Sequence, residues 1–172
     1  PQIYYGGLTN SYVFARTAQR EFDYPAADSN AYTQYTGRGG ISTGSIVRRA
    51  LFAWQLRSLK ILLSSDLGDS SRVLIRRNVE ERAQSALPFL RFDPEEYLVV
   101  TDSGTLVWVL DAYTTSTHYP YAWRAADGVS YMRNSVKVTV DAYDGTVTAY
   151  LADSTDALVK DGKVVGNTVT PF

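Results

Sequence analysis

Past Pro94 the apolar residues shift to the short period of extended chain, and the run breaks at two turn signals, Asp102-Ser103-Gly104 and Asp144-Gly145. A period of two sends successive side chains to opposite faces, so this half buries its apolar groups most readily as an antiparallel sheet folded at those turns. The first hairpin spans about 97–112, with Gly104 at the left-handed position of a three-residue loop. Leu98, Val99 and Val100 against Leu106 to Leu110 are nearly continuous apolar strands, which predicts a central position with at least partial cover on both faces. The second hairpin, about 135–152, alternates cleanly. With Asp144-Gly145 as a two-residue turn, Val140 faces Ala149 and Val138 faces Leu151. Val136, Val138, Val140, Ala142, Val147, Ala149 and Leu151 then share a core face, opposite Lys137, Thr139, Asp141, Tyr143, Thr148 and Tyr150.

Upstream, the spacing is helical. Over about 44–63, Val47, Ala50, Leu51, Trp54, Ile61 and Leu62 fall on one stripe and Arg48, Arg49, Arg57 and Lys60 on another arc. Phe52, Leu56, Leu59 and Leu63 lie outside that stripe, so burial on more than one side is expected. A second helix, about 71–87, presents Ile75, Val79, Ala83, Ala86 and Leu87 and stops at Pro88. The expected fold class is therefore α+β: an antiparallel β-sheet built from two hairpins, packed on one face by two helices, with long irregular loops. Its length, 172 residues, suits a single domain. Asp161-Gly162 offers a third turn in the tail after Asp153, residues 154–172, whose membership in the domain the pattern leaves open.

Several function classes lose their support in the composition. Net charge is −1 with no block of Lys and Arg, so the footprint of a nucleic-acid binder is missing. There is no Cys and one His, His118, which leaves too few soft ligands for a transition-metal site, and no cofactor motif is complete. No run approaches the roughly 20 apolar residues that cross a bilayer. The start, Pro1-Gln2-Ile3-Tyr4-Tyr5, has neither an initiator Met nor a signal-peptide core, so the ends are expected to be excised from a larger chain.

Asp111 and Asp141 each sit in an Asp-Ala-Tyr triplet near a strand end. They could form the acid and base of a glycan hydrolase, but strand-end Asp usually bonds nearby backbone. Arg133 could pair with Asp111 or with a ligand anion. Gly37-Arg38-Gly39-Gly40 reads as a flexible turn rather than an anion cradle, and Asp66, Asp69, Asp153 and Asp156 as solvated turns. The expected functional surface is the connection Tyr113 to Asn134, about 22 residues without a helix or strand pattern. Tyr113, His118, Tyr119, Tyr121, Trp123, Tyr131 and Arg133 are its ligand-binding candidates. Aromatic rings interleaved with hydrogen-bonding groups suit a sugar ring or a protein partner. The alternative is a loop whose rings cover the outer sheet face.

The blocks Ile3-Tyr4-Tyr5-Gly6, Glu21 to Pro25, Ser71 to Leu74, Arg76-Arg77-Asn78, Pro88-Phe89-Leu90, Trp108 to Ser116, Tyr119-Pro120-Tyr121 and Arg133 to Lys137 running into Val140 to Val147 resemble uncharacterised protein family 0182. They stand in that family's order over roughly residues 3 to 153, and the tail from about Ser154 departs from its pattern. These are large bacterial multi-pass membrane proteins. The resemblance implies transmembrane helices outside this chain and an extracytoplasmic location for it, and it implies no activity. The expectation is a non-catalytic domain that binds or scaffolds cell-envelope partners, a polymer or a protein. A glycan hydrolase using Asp111 and Asp141 is the alternative, and a regulatory or sensor module comes third.

Overall fold

The computed structural model describes residues 2–26, 29–160 and 169–171. They divide into two compact units, one from Ile3–Thr9 with the chain from Asn78 onward, the other from Asn10–Arg77 with Gln2. Each unit has its own buried cluster. The class is α+β with antiparallel sheets, as expected.

The Asn10–Arg77 unit holds strands β1 (Val13–Ala15), β2 (Glu21–Pro25), β3 (Asn30–Thr33) and β4 (Ile41–Ser42), helices α1 (Ile46–Gln55) and α2 (Lys60–Leu63), and strand β5 (Arg72–Leu74). β5 runs between β1 and β4 in a small antiparallel sheet, and β2 pairs with β3 as a separate ribbon. Phe52, Ala53, Ile61, Leu67 and Val73 form the core, with Phe14, Leu56, Leu62 and Ile75 around it. The helix expected over 44–63 breaks in two because α1 closes with a Schellman turn. Ser58 N–H donates to Ala53 O and Arg57 N–H to Trp54 O, with Arg57 at φ 52° in the position usually held by glycine. The expected stripe is also turned over. Phe52 and Ala53 are buried, whereas Val47, Leu51 and Trp54 face solvent.

Two arginines organise the Gly-rich loop. Arg16 donates to the carbonyls of Tyr35, Thr36 and Gly37, and Arg72 to those of Arg38, Gly39 and Gly40, at 2.6–3.0 Å. The loop thus presents acceptors to cations and is not an anion cradle. Replacing Arg72 with Ala leaves three carbonyls without their charged donor. It is expected to cost about 1.5–3 kcal/mol, the range for hydrogen bonds to charged groups, read as a lower urea midpoint.

The other unit is built on helix α3 (Val79–Ala86), strands β6 (Arg91–Phe92), β7 (Tyr97–Val100), β8 (Leu106–Ser116), β9 (Tyr131–Asp141) and β10 (Val147–Leu151), helix α4 (Ala157–Lys160) and strand β11 (Val169–Pro171). The sheet order is β11-β10-β9-β8-β6, with β7 also on β8 and β11 parallel to β10. α3 packs against β6, β9 and β10, so one helix, α3, takes the covering role expected of two. It starts at Val79, later than the expected Ser71, because Arg72–Leu74 is a strand and Asn78 caps the helix by accepting from Glu81 N–H. Val79, Ala83, Leu110, Ala112, Val136, Val138 and Val140 are fully buried.

The first hairpin has the expected three-residue loop, with Gly104 at φ 78°. β8 is central as expected, but β7 is an exposed flanking strand. In the second hairpin the register differs by two residues: Val140 faces Val147, Val138 faces Ala149 and Val136 faces Leu151. Asp141 is the cause. Its carboxylate accepts from Tyr143 N–H and Asp144 N–H, and Gly145 N–H reaches Asp141 O, so Ala142 to Gly145 make a four-residue loop. A shift of two preserves side-chain parity, so the valines still face the core. The turn expected at Asp161-Gly162 lies outside the described residues.

Candidate functional site

The connection between the hairpins is far more ordered than its sequence pattern indicated. β8 runs on to Ser116 and β9 begins at Tyr131, with Thr114 opposite Arg133, Thr115 opposite Met132 and Ser116 opposite Tyr131. Only Thr117 to Ser130 is loop. A bulge between Ala112 and Thr114 offsets the pairing, and the polar Thr and Ser hid it from a search for apolar alternation.

The candidates therefore separate into a root and a tip. At the root, Tyr113 directs its hydroxyl to Asp93 and lies opposite Arg91 of β6. Arg133 pairs with Asp153 at 2.5 Å and donates to Thr155, not to Asp111. Tyr131 donates to Asp156 at 2.6 Å. Asp156 is the residue that sequence reasoning missed. It is fully buried and also accepts from Thr114 Oγ1, Ser135 Oγ and Leu158 N–H, which makes it the hub joining β8, β9 and the segment before α4. Burial would raise its pKa, but the hydrogen bonds from Ser135, Thr114 and Tyr131 outweigh that and hold the carboxyl below its ordinary value.

At the tip, Tyr119 stacks on Tyr131 with ring centroids 4.7 Å apart, leaving 42% of its surface exposed. Tyr121 and Trp123 stand fully in solvent at 107% and 94% exposure, Tyr121 at φ 58°. His118 is exposed, with Nδ1 against Thr117 Oγ1. A groove beside Trp123 is lined by Arg91, Asp127, Val129, Ser130, Tyr131 and Met132. Arg91 and Asp127 form a surface ion pair across it at 2.6 Å, and that hydrogen bond is the main reason the Asp127 carboxyl titrates low. Arg91 comes from β6, and nothing in its local sequence tied it to the loop.

The candidate catalytic pair, Asp111 and Asp141, is not brought together. Asp111 lies opposite Lys137 and Asp141 opposite Val107, four positions apart along each strand or about 13 Å, beyond the roughly 5–9.5 Å separation of glycoside-cleaving carboxylates. Each also has a structural partner. Lys137 reaches Asp111 at 2.5 Å and is the main cause of its lowered pKa, with Asn134 also donating, and Asp141 caps its own turn. Among the described residues no three His, Asp or Glu side chains gather as a metal site, and no helix is long and apolar enough to cross a membrane.

Fold and site together define an α+β chain whose larger sheet carries a long hairpin with a solvent-facing aromatic tip. The chain belongs to the Uncharacterised protein family (UPF0182), whose family model matches residues 1–166 and so runs past Ser154, where the resemblance had been drawn to end. A UPF0182 protein of Geotalea uraniireducens is 52% identical over 160 residues, covering 93% of this chain and 18% of the relative. One from Geobacter sulfurreducens is 51% identical over the same shares, and one from Nostoc sp. is 46% identical over 92% of this chain and 17% of the relative. The chain thus spans under a fifth of the length of these relatives. No solved structure matches it.

Proposed function

We propose that this chain is a non-catalytic binding domain, in the extracytoplasmic part of a membrane protein, that holds a cell-envelope glycan on the tip of the β8–β9 hairpin. The observation that carries this reading is the exposure of Tyr121 and Trp123 on an ordered hairpin whose root is pinned by Asp156. Flat aromatic faces left in water at no packing benefit are suited to stacking on sugar rings, and Arg91, Asp127 and Ser130 line the adjacent groove with donors and acceptors for hydroxyls. Asp111 is engaged by Lys137 and Asp141 by its own turn, which favours the binding reading over the hydrolase one.

The test is sedimentation of the chain with purified peptidoglycan sacculi. The wild type is expected to pellet with them, and the paired substitution Tyr121→Ala, Trp123→Ala to weaken binding at least about tenfold, as loss of aromatic anchors does at other interfaces. Equal binding by both proteins, or none by the wild type, would reject the reading.

A further inference from the structure

The Asn10–Arg77 unit carries a second surface whose chemistry differs from the aromatic tip. Ile46, Val47, Leu51 and Trp54 on α1, and Leu59 and Leu63 beside and on α2, are 58–82% exposed. The α1 residues, with Ala50 among them, share one arc of the helix by its 3.6-residue period, opposite the buried Phe52 and bordered by the buried Ala53. Such an apolar face in water is costly and marks an interaction surface.

Charge identifies the occupant. Between Ser29 and Ser65 the sequence holds five cations, Arg38, Arg48, Arg49, Arg57 and Lys60, and no carboxylate, although the whole chain is slightly acidic. Arg48, Arg57 and Lys60 are exposed, and their side chains make no hydrogen bond or ion pair among the described residues. An apolar arc with Trp and Leu, edged by unengaged cations, is the composition of a helix that lies in a lipid interface. A face covered by a second copy of this chain would set those cations against one another.

We propose that the α1–α2 segment docks on an anionic phospholipid surface, with Leu51 and Trp54 entering the acyl boundary while Arg48, Arg57 and Lys60 meet the headgroup phosphates. The inference stands apart from the glycan reading and uses different residues. The 172-residue chain is to be sedimented with vesicles of equal phosphatidylglycerol and phosphatidylcholine, and with phosphatidylcholine alone. Binding to the anionic vesicles is expected to exceed binding to neutral ones by roughly 20-fold or more at low salt and to fall as salt rises, since each cation near such a surface contributes about fivefold.

Leu51→Glu with Trp54→Glu should abolish binding to both vesicles, with the fold intact by circular dichroism because both side chains are exposed. Arg48→Glu with Arg57→Glu should remove the preference for anionic lipid. No binding by the wild type, binding indifferent to the Leu51 and Trp54 changes, or a concentration-dependent dimer that those changes dissolve would each overturn the proposal.

Discussion

Asp156→Ala is expected to destabilise the chain by about 3–5 kcal/mol, a large part of the roughly 5–15 kcal/mol that holds a domain together. The carboxylate is buried beneath Thr114, Ser135 and Tyr131, and its removal leaves three hydroxyls without their acceptor, two of them on residues that are themselves buried. Each stranded donor costs about 1–3 kcal/mol, partly recovered as the hydroxyls find other acceptors. The same residue sets a pH dependence. Its folded pKa lies below the ordinary value of 3.8, so its contribution is present at pH values well above 3.8 and is lost as pH falls through the folded pKa. Asp111, lowered mainly by Lys137, acts in the same direction. Urea unfolding at pH 7 and pH 3 should show stability falling in acid, with a shallower fall in Asp156→Ala. An Asp156→Ala midpoint equal to wild type at pH 7 would show that the hub carries no stability.

Gly145→Val should be as damaging, for a different reason. Gly145 sits at φ 69°, which a β-branched residue resists, and a Cβ there would fall 2.6 Å from the Tyr5 ring. That ring cannot yield. Tyr5 is fully buried, its N–H donates to Ala142 O, its carbonyl accepts from Trp108 Nε1, and the Arg82 guanidinium lies 4.6 Å above it while donating to Gly145 O. Backbone strain of about 1–3 kcal/mol and a similar overpacking cost give an expected loss of about 3–5 kcal/mol. Gly104→Val separates the two contributions. Gly104 has φ 78° but open space around its missing Cβ, so only the strain should appear, about 1–3 kcal/mol. Equal losses at the two positions would contradict the role assigned to Tyr5.

The hairpins and their core valines were legible because period-two alternation survives a register shift of two. The register itself was not, since a dipeptide turn signal does not announce that Asp141 will cap a longer loop. The long helix expected over 44–63 failed for a related reason. A stripe of Val47, Leu51 and Trp54 looks the same in sequence whether it faces a core or a partner, and the opposite arc, Phe52 and Ala53, also qualifies as apolar. Tyr113–Ser116 and Tyr131–Asn134 escaped recognition as strand because polar residues fill their ladder. Asp156 read as a solvated turn because its three hydroxyl partners are 21 to 42 residues away in sequence. The aromatic candidates at the tip were visible from composition alone. Their separation from the structural root at Tyr113, Tyr131 and Arg133 needed three dimensions.

The claim that the hairpin tip serves binding and not folding is tested most directly by urea unfolding of the chain carrying Tyr121→Ala and Trp123→Ala together. Both rings are free of packing, so the unfolding free energy should stay within about 0.5 kcal/mol of wild type, the range for surface substitutions away from structural features. A loss of 2 kcal/mol or more, on the order of a truncated core side chain, would show that the rings hold the fold together and would contradict the account.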